Sequence, residues 1–244
     1  MSLIDAHCHL ANLSEVMNLP DLMEEAARHG ITRFVSAALR RSEVDFYLKY
    51  PFDNLIFSAG MHPNFDECDL DIVQIDHLAY SKRIWAVGEI GLDRGNPDIE
   101  YQTKAFKENL IIAAEHGIPA VLHIVGHQQQ AYEILKNHDL KYLVHGYAGS
   151  LEGFELLARL DSVFTISSRI LVDDKLELLK RMIRHGRMLF ETDIIQYYVK
   201  AGESNPLLRL LDVFETTQKL SGQTDEALLD MQEISAKHLF GELF

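Results

Sequence analysis

The chain has 244 residues, of which 47% are hydrophobic and 25% are charged. This length and composition predict a globular protein with a well-buried core and exclude an extensively disordered chain. Its 23 Lys and Arg residues stand against 37 Asp and Glu residues, a net charge of −14. Such a surface argues against tight nonspecific association with nucleic acid, but it does not exclude a nuclease whose metal ions supply positive charge locally.

Two further features of the composition concern the compartment. No apolar run approaches the ~20 residues that a membrane span needs, and the N-terminus has no basic segment followed by a hydrophobic one. We therefore expect a cytoplasmic protein without membrane contact. The two cysteines, Cys8 and Cys68, argue against a disulfide framework, in keeping with a reducing compartment.

Short β-rich apolar runs alternate with segments of helical periodicity. Strands are predicted at 3–8, 33–38, 55–60, 84–89, 119–124, 142–146, 162–167 and 188–193. Helices are predicted near 20–29, 42–49, 69–80, 102–116, 128–138, 151–160, 174–185, 206–220 and 225–239. Eight βα units in about 250 residues match one TIM barrel, whereas doubly wound sheets more often have five or six strands. No linker-like segment divides the chain, so we predict an α/β fold with a single (β/α)8 barrel domain over residues 1–244.

The first predicted strand leads into Ile-Asp-Ala-His-Cys-His-Leu at positions 4–10, with three metal-capable side chains in a row. Successive side chains of a strand point to opposite faces, so His7 and His9 share a face and Cys8 points away. A helix would separate the two histidines by about 200°. Because the run is short and apolar-led, we favour the strand, with His7 and His9 as candidate ligands and Cys8 as a small packing residue.

Three more histidines stand where predicted strands end. His62 follows the third strand, His123 ends the fifth and His145 ends the sixth. Taken singly, each fits a hydrogen-bonded core histidine. Taken with His7 and His9, they favour a site, because a barrel gathers the carboxyl ends of its strands on the face where catalytic residues lie. Histidines that precede glycines at the ends of predicted helices fit helix caps instead.

Carboxylates close two of the predicted strands. Glu89 closes the fourth, and Asp193 closes the eighth with Glu191 two residues earlier. A charged side chain buried at the end of an apolar strand needs a partner. Asp93, which follows the fourth strand, fits a helix cap as well as a site. Glu89 and Asp193 with four histidines form a donor set suited to two divalent ions such as Zn²⁺ or Mn²⁺, which Glu89 is suited to bridge. Such a pair generates hydroxide from water at neutral pH.

In chain order these motifs resemble the TatD family of metal-dependent deoxyribonucleases, within the amidohydrolase-like barrels. The similar segments are DAHCHL, GMHP, GEIGLD, VLHI, HGYAGS, ETD and the C-terminal AKHLFGEL. They cover essentially the whole chain. The resemblance implies metal-assisted hydrolysis of a phosphodiester, typically DNA trimmed from an end, with two divalent ions (Zn²⁺ or Mg²⁺/Mn²⁺) and no organic cofactor.

The resemblance also implies two ligand sets that share Glu89 as a bridge. The first set is His7, His9 and Asp193, and the second is His123 and His145. Asp193 would also orient or deprotonate the attacking water, and so act as the catalytic residue. His62 would contact phosphate or support the site, and Glu191 would support the ligands from behind.

Four positions depart from the family pattern where substrate phosphates would bind. Asn64 replaces a histidine, Arg94 an aromatic residue, Val125 an arginine and Ile195 a proline. All the predicted metal ligands remain, so the expected hydrolytic capacity is retained while the phosphate contacts are thinned. Arg94, at the rim of the same face, fits either a compensating substrate contact or a surface salt bridge.

Two alternatives stay open at this point. The same hydroxide can attack a carbonyl carbon, so the protein fits an amidohydrolase acting on a small amide or ester. Glu89 stands where many such enzymes have a bridging lysine, which favours phosphoester chemistry. The thinned phosphate contacts and the acidic surface also fit a non-catalytic, metal-binding subunit of a larger assembly.

Overall fold

A computed structural model of the protein describes residues 2–243. The strands are β1 (Leu3–Cys8), β2 (Ile31–Ala38), β3 (Leu55–Ala59), β4 (Val87–Asp93), β5 (Ala120–Val125), β6 (Tyr142–Val144), β7 (Ser162–Ile166) and β8 (Met188–Phe190). The helices are α1 (Leu10–Leu13), α2 (Leu19–Arg28), α3 (Arg41–Lys49), α4 (Ile72–Tyr80), α5 (Ile99–His116), α6 (Gln128–Leu135), α7 (Leu151–Leu157), α8 (Leu176–His185), α9 (Arg209–Ser221) and α10 (Asp225–Phe240). Short 3-10 turns lie in the loops after β7 and β8.

The eight parallel strands close into a barrel in the order in which they follow one another along the chain. This confirms the predicted (β/α)8 fold. The two end positions of the predicted domain, residues 1 and 244, lie outside the described residues. Within residues 2–243, no helix has both the length and the apolar character needed to cross a membrane.

The fourth strand differs most from its prediction. It begins three residues later and runs to Asp93, so Glu89 is its third residue rather than its last. The apolar residues that suggested an earlier start, Ile84, Trp85 and Ala86, are buried but precede the strand. A run of apolar residues indicates that the residues are buried, but it does not show whether they pair with a neighbouring strand. The predicted start of the fourth strand is therefore too early.

The packing of the barrel interior and of the last helix shows which end of the barrel is open. An inner cluster fills the barrel with small and branched side chains such as Ile4, Val121 and Leu143, as expected for a packed TIM-barrel interior. Helix α10 closes the amino end, where the ring of Phe240 lies 4.9 Å from that of Trp85. The opposite, carboxyl end is therefore the open face.

A bulge in β1 aims the first pair of histidines at this open face. Asp5 pairs with Phe34 and Cys8 pairs with Ser36, so three steps along β1 match two along β2. Bulges of this kind redirect side chains and are common beside active sites. Cys8 faces outward as predicted, into the hydrophobic layer shared with the helices, where its Sγ lies 3.4 Å from the carbonyl oxygen of Val35.

Candidate metal centre

Five histidines and two carboxylates meet at the carboxyl end of the barrel. Each belongs to a strand or to the residues directly after one, so the closed barrel brings together positions that are far apart in the sequence. The predicted residues that the structure collects around one carboxylate are His7, His9, His62, Glu89, His123, His145 and Asp193.

The first group of donors has the spacing of a single-ion site. The Nε2 atoms of His7 and His9 each lie 3.4 Å from Glu89 Oε1. Asp193 Oδ1 lies 3.8 Å from His7 Nε2 and 3.4 Å from His9 Nε2. Donors that sit about 2.1 Å from a tetrahedral ion are roughly 3.4 Å from one another. Among residues 2–243, the buried His7 Nε2 and Glu89 Oε1 have no hydrogen-bond partner, which suits atoms that would bind an ion.

The other oxygen of Glu89 faces a second group. Glu89 Oε2 lies 2.7 Å from His145 Nε2 and 3.6 Å from His123 Nδ1. The two imidazole nitrogens are themselves 3.2 Å apart. One carboxylate therefore presents a separate oxygen to each group of histidines, as a bridging ligand must.

His62 lies as close to Glu89 as His123 does, but its hydrogen bonding differs. Its Nε2 is 3.6 Å from Glu89 Oε2, while its Nδ1 accepts a hydrogen bond of 3.0 Å from the backbone N–H of Asn64. Burial lowers the pKa of His62 to about 3, so the ring is neutral. A nitrogen that accepts carries no proton, hence the proton resides on Nε2. His62 thus faces the centre as a hydrogen-bond donor, which suits the supporting or phosphate-contacting role expected from the sequence.

Two buried carboxylates orient the histidines of the second group. Asp93 Oδ2 lies 2.8 Å from His123 Nε2, which leaves His123 Nδ1 free to face Glu89. Glu191 is fully buried, and its Oε2 is 3.7 Å from His145 Nδ1. Carboxylates behind a histidine set its tautomer and ring orientation. The cap of α5 is Asp98, which resolves the alternative roles of Asp93 in favour of the site.

Asp5, which is not among the residues predicted for the site, fixes the segment after β8. Thr192 donates to the Asp5 carboxylate twice, from its backbone N–H at 3.0 Å and from its hydroxyl at 2.6 Å. The next residue, Asp193, donates its N–H to the carbonyl of His7 at 2.9 Å and has a positive φ of 51°. These bonds hold Glu191 and Asp193 on either side of Thr192, toward the centre. The sequence does contain a signal for Asp5, because an ionisable residue stands there within an otherwise apolar strand.

Arg169 was also missed. It lies on the 3-10 turn after β7 and donates from Nη2 to Asp193 Oδ2 at 2.6 Å. Arg94, which the sequence proposed as a substrate contact, lines a neighbouring cavity rather than the pocket around Glu89. No described carboxylate pairs with Arg94, so the salt-bridge alternative for this side chain is not observed among residues 2–243.

Electrostatics keep the central carboxylate ionised before any ion binds. Burial disfavours the charge of Glu89, but the facing His145 and His7 hold its pKa well below its ordinary value. Burial likewise opposes a charged His9, yet its contact with Asp193 and the charge of Glu89 raise the pKa of His9 to about 9. The centre therefore contains ionised carboxylates that attract cations. In the absence of a metal ion, His9 binds a proton.

Comparison with known proteins identifies the chain. A model of the TatD related DNase family matches residues 4–241. The chain belongs to this family. This TatD protein is 27% identical to YcfH of Escherichia coli, an uncharacterized metal-dependent hydrolase, over 98% of this chain and 96% of YcfH. It is 23% identical to the similarly described YabD of Bacillus subtilis over 98% of each chain.

Solved structures show the same fold. The crystal structure of YjjV, a TatD homolog of Escherichia coli, matches this TatD chain with a TM-score of 0.86, 23% identity and coverage of 98% and 97% of the two chains. A TatD family hydrolase from Entamoeba histolytica matches with a TM-score of 0.79, 14% identity and 98% coverage of each chain. The resemblance inferred from the sequence motifs is confirmed.

Proposed function

We propose that this TatD protein is a two-metal hydrolase of phosphodiester bonds, with DNA as the expected polymer substrate. The observation that carries the proposal is the placement of Glu89, whose two oxygens face different histidine groups at the mouth of the barrel. Family membership supports the substrate class.

The residues present fit a pair of divalent ions. Glu89 would bind both ions. His7 and His9, which face its Oε1 and lie next to Asp193, would hold one ion, and His123 and His145, which face its Oε2, would hold the other. When bound, such ions lower the pKa of water so that hydroxide forms near neutral pH, and they neutralise charge on phosphoryl oxygens.

The side chain of Asp193 has the position of the proton acceptor. Burial opposes its ionisation, but the neighbouring His9 and the other histidines hold the pKa of Asp193 below its ordinary value. Its Oδ1 faces His7 and His9, and its Oδ2 is held by Arg169. Asp193 therefore stays ionised at neutral pH and can orient a water and accept its proton. Arg169 holds that carboxylate in place and presents positive charge where a phosphate would enter.

The rim of the pocket supports a phosphoester rather than an amide substrate. Arg169 lines the entrance and supplies planar donors suited to phosphate oxygens. Phe65 and Tyr198 line the same entrance and offer aromatic surface for a sugar or a base. His62 adds a neutral donor directed into the centre.

The test compares wild-type protein with Asp193→Asn after removal and controlled return of Mg²⁺, Mn²⁺ or Zn²⁺. Bis(p-nitrophenyl) phosphate, end-labelled single- and double-stranded DNA, and a p-nitroanilide amide are assayed in parallel. We expect metal-dependent cleavage of the phosphodiesters and a loss of about 10²-fold or more in kcat for the variant.

Asp212→Asn is the matched control, because Asp212 is an exposed residue of α9. It should behave as wild type. Equal residual activity in wild type and Asp193→Asn, or preferred cleavage of the amide, would overturn the proposal.

A further inference from the structure

A second cavity of about 550 Å³ lies beside the metal centre. Arg94, Arg169 and Lys175 line it, and Arg169 also lines the pocket around Glu89. Among the described residues, no Asp or Glu lines this cavity. The charge of this cavity lining is therefore positive, whereas the net charge of the whole chain is −14.

Glycines leave room for two of these cations. Gly126 follows β5, and a Cβ placed on it would lie 3.2 Å from the Cβ and Cδ atoms of Arg94. A Cβ on Gly146 would lie 3.2 Å from Nη1 of Arg169. Both glycines have positive φ values, 72° and 55°, which side chains rarely adopt. The two arginines therefore lie directly over bare backbone at the ends of neighbouring strands.

The charges of this cavity are poorly neutralised by the protein itself. Arg94 is exposed and has no carboxylate partner among residues 2–243. Within the described part of the chain, the one hydrogen bond of Lys175 Nζ is to the carbonyl oxygen of Gly149, at 3.3 Å. Of the three cations, Arg169 is the one that pairs with a described carboxylate, that of Asp193. Cations that lack partners in a concave site are available to an anionic ligand.

The other side of the metal pocket has the opposite charge. The loop after β3, which contributes His62 and Phe65 to the pocket, carries four carboxylates within six positions. They are Asp66, Glu67, Asp69 and Asp71. Arg40 pairs with Glu67 and Arg41 pairs with Asp71. Asp69 accepts a hydrogen bond from the backbone N–H of Arg41, while Asp66 is exposed and has no cation partner among the described residues. A polyanion would therefore be attracted to the side of the pocket that carries Arg94 and Arg169, and not to the side formed by the loop after β3.

We propose that the cavity binds one further phosphate of the substrate, on one side only of the bond that is cleaved. The proposal rests on the phosphodiesterase function proposed above. Arg169 lies between the two pockets, so adjacent phosphates of one nucleotide chain would occupy the metal centre and the cavity together. The substrate class is then a short nucleotide, or a strand end, with one flanking phosphate, rather than nucleic acid held along its length.

The activity test uses a series of thymidylates. The dinucleotide TpT contains only the scissile phosphate, pTpT and TpTp add a phosphate on one side or the other, and longer oligomers add more. We expect kcat/KM to rise about tenfold for one of the two phosphorylated dinucleotides and then to remain level with length. No rise for either dinucleotide, or a rise that continues with each added phosphate, would overturn the proposal.

A pair of variants locates the effect. Arg94→Gln should lower the ratio of kcat/KM for the preferred phosphorylated dinucleotide over TpT by about tenfold. Arg83→Gln is the matched control, because Arg83 is exposed just before β4, whereas Arg94 directly follows that strand. The ratio should be unchanged in the control, and an unchanged ratio in Arg94→Gln would contradict the assignment.

A binding measurement separates this proposal from the proposed hydrolysis. Inorganic phosphate is titrated calorimetrically into metal-free protein, and Kd should be about tenfold weaker for Arg94→Gln than for wild type or Arg83→Gln. Protein that binds phosphate in this way but cleaves no phosphodiester refutes the hydrolase alone. Protein that cleaves bis(p-nitrophenyl) phosphate but shows no Arg94-dependent phosphate binding refutes the anion site alone.

Discussion

Replacing Glu89 with glutamine is the most informative single change, because its carboxylate presents one oxygen to each histidine group. The amide keeps the volume and one oxygen of the carboxylate but removes its charge. Glu89 is 2% exposed, so water cannot substitute for the lost charge without rearrangement.

The expected loss follows from Coulomb's law. Two unit charges about 4 Å apart interact by about 4 kcal/mol at an effective dielectric constant of 20. A divalent ion interacts twice as strongly, so removing the negative charge of Glu89 should weaken the second ion to bind by at least about 4 kcal/mol. This corresponds to about 10³-fold in Kd.

The assay measures metal content and affinity together. Metal-free protein is titrated with Mn²⁺ or Zn²⁺ by calorimetry, and the dialysed complex is analysed for metal per chain. We expect two ions for wild type and one or none for Glu89→Gln at micromolar metal, with similar circular dichroism. Glu155→Gln, at a partly exposed residue of α7 that pairs with Arg181, is the matched control and should retain both ions. Two ions with unchanged Kd in Glu89→Gln would refute the bridging assignment.

The remaining predictions concern protons and ligand orientation. Because the pKa of His9 is about 9 in the absence of metal, His9 is protonated below that pH, and an ion must displace its proton. The affinity for the ion held by His7, His9 and Asp193 should therefore fall about tenfold for each unit from pH 8.5 to 6.5, and a chelator-competition Kd for that ion that does not change over this range would contradict the assignment. Asp93→Asn weakens the orientation of His123 and should raise Kd for one ion about 10- to 100-fold while the other is unaffected, as calorimetry would show. Asp5→Asn should lower kcat more than the affinity for metal, because Asp5 positions Thr192 and thereby Asp193; unchanged steady-state kinetics would exclude that role.

The sequence predicted the barrel and its seven central residues because both follow from simple geometry. Alternating apolar and helical segments specify parallel βα units, and a closed barrel places strand ends on one face. Glu89 is the partial exception. The position of its strand was shifted by the buried residues that precede it, yet Glu89 still lies at the centre because β4 extends beyond it.

Side-chain partners between distant loops could not be read from the sequence. Asp5 meets Thr192 across 187 positions, and Arg169 meets Asp193 across 24, through backbone geometry that no local pattern encodes. Asp93 reaches His123 because β4 pairs with β5, a contact between strands that are distant in the sequence. The cavity lined by Arg94 could not be predicted from the sequence for the same reason, because its lining residues come from separate βα loops.

The proposed two-metal centre requires two ions that share Glu89. Crystals of protein loaded with Mn²⁺ or Zn²⁺, measured at the absorption edge of the metal, would locate each ion directly. We predict two anomalous peaks, one contacting Glu89 Oε1 with His7, His9 and Asp193, the other contacting Glu89 Oε2 with His123 and His145. A single peak in fully loaded protein, or two peaks without Glu89 between them, would contradict the two-metal centre.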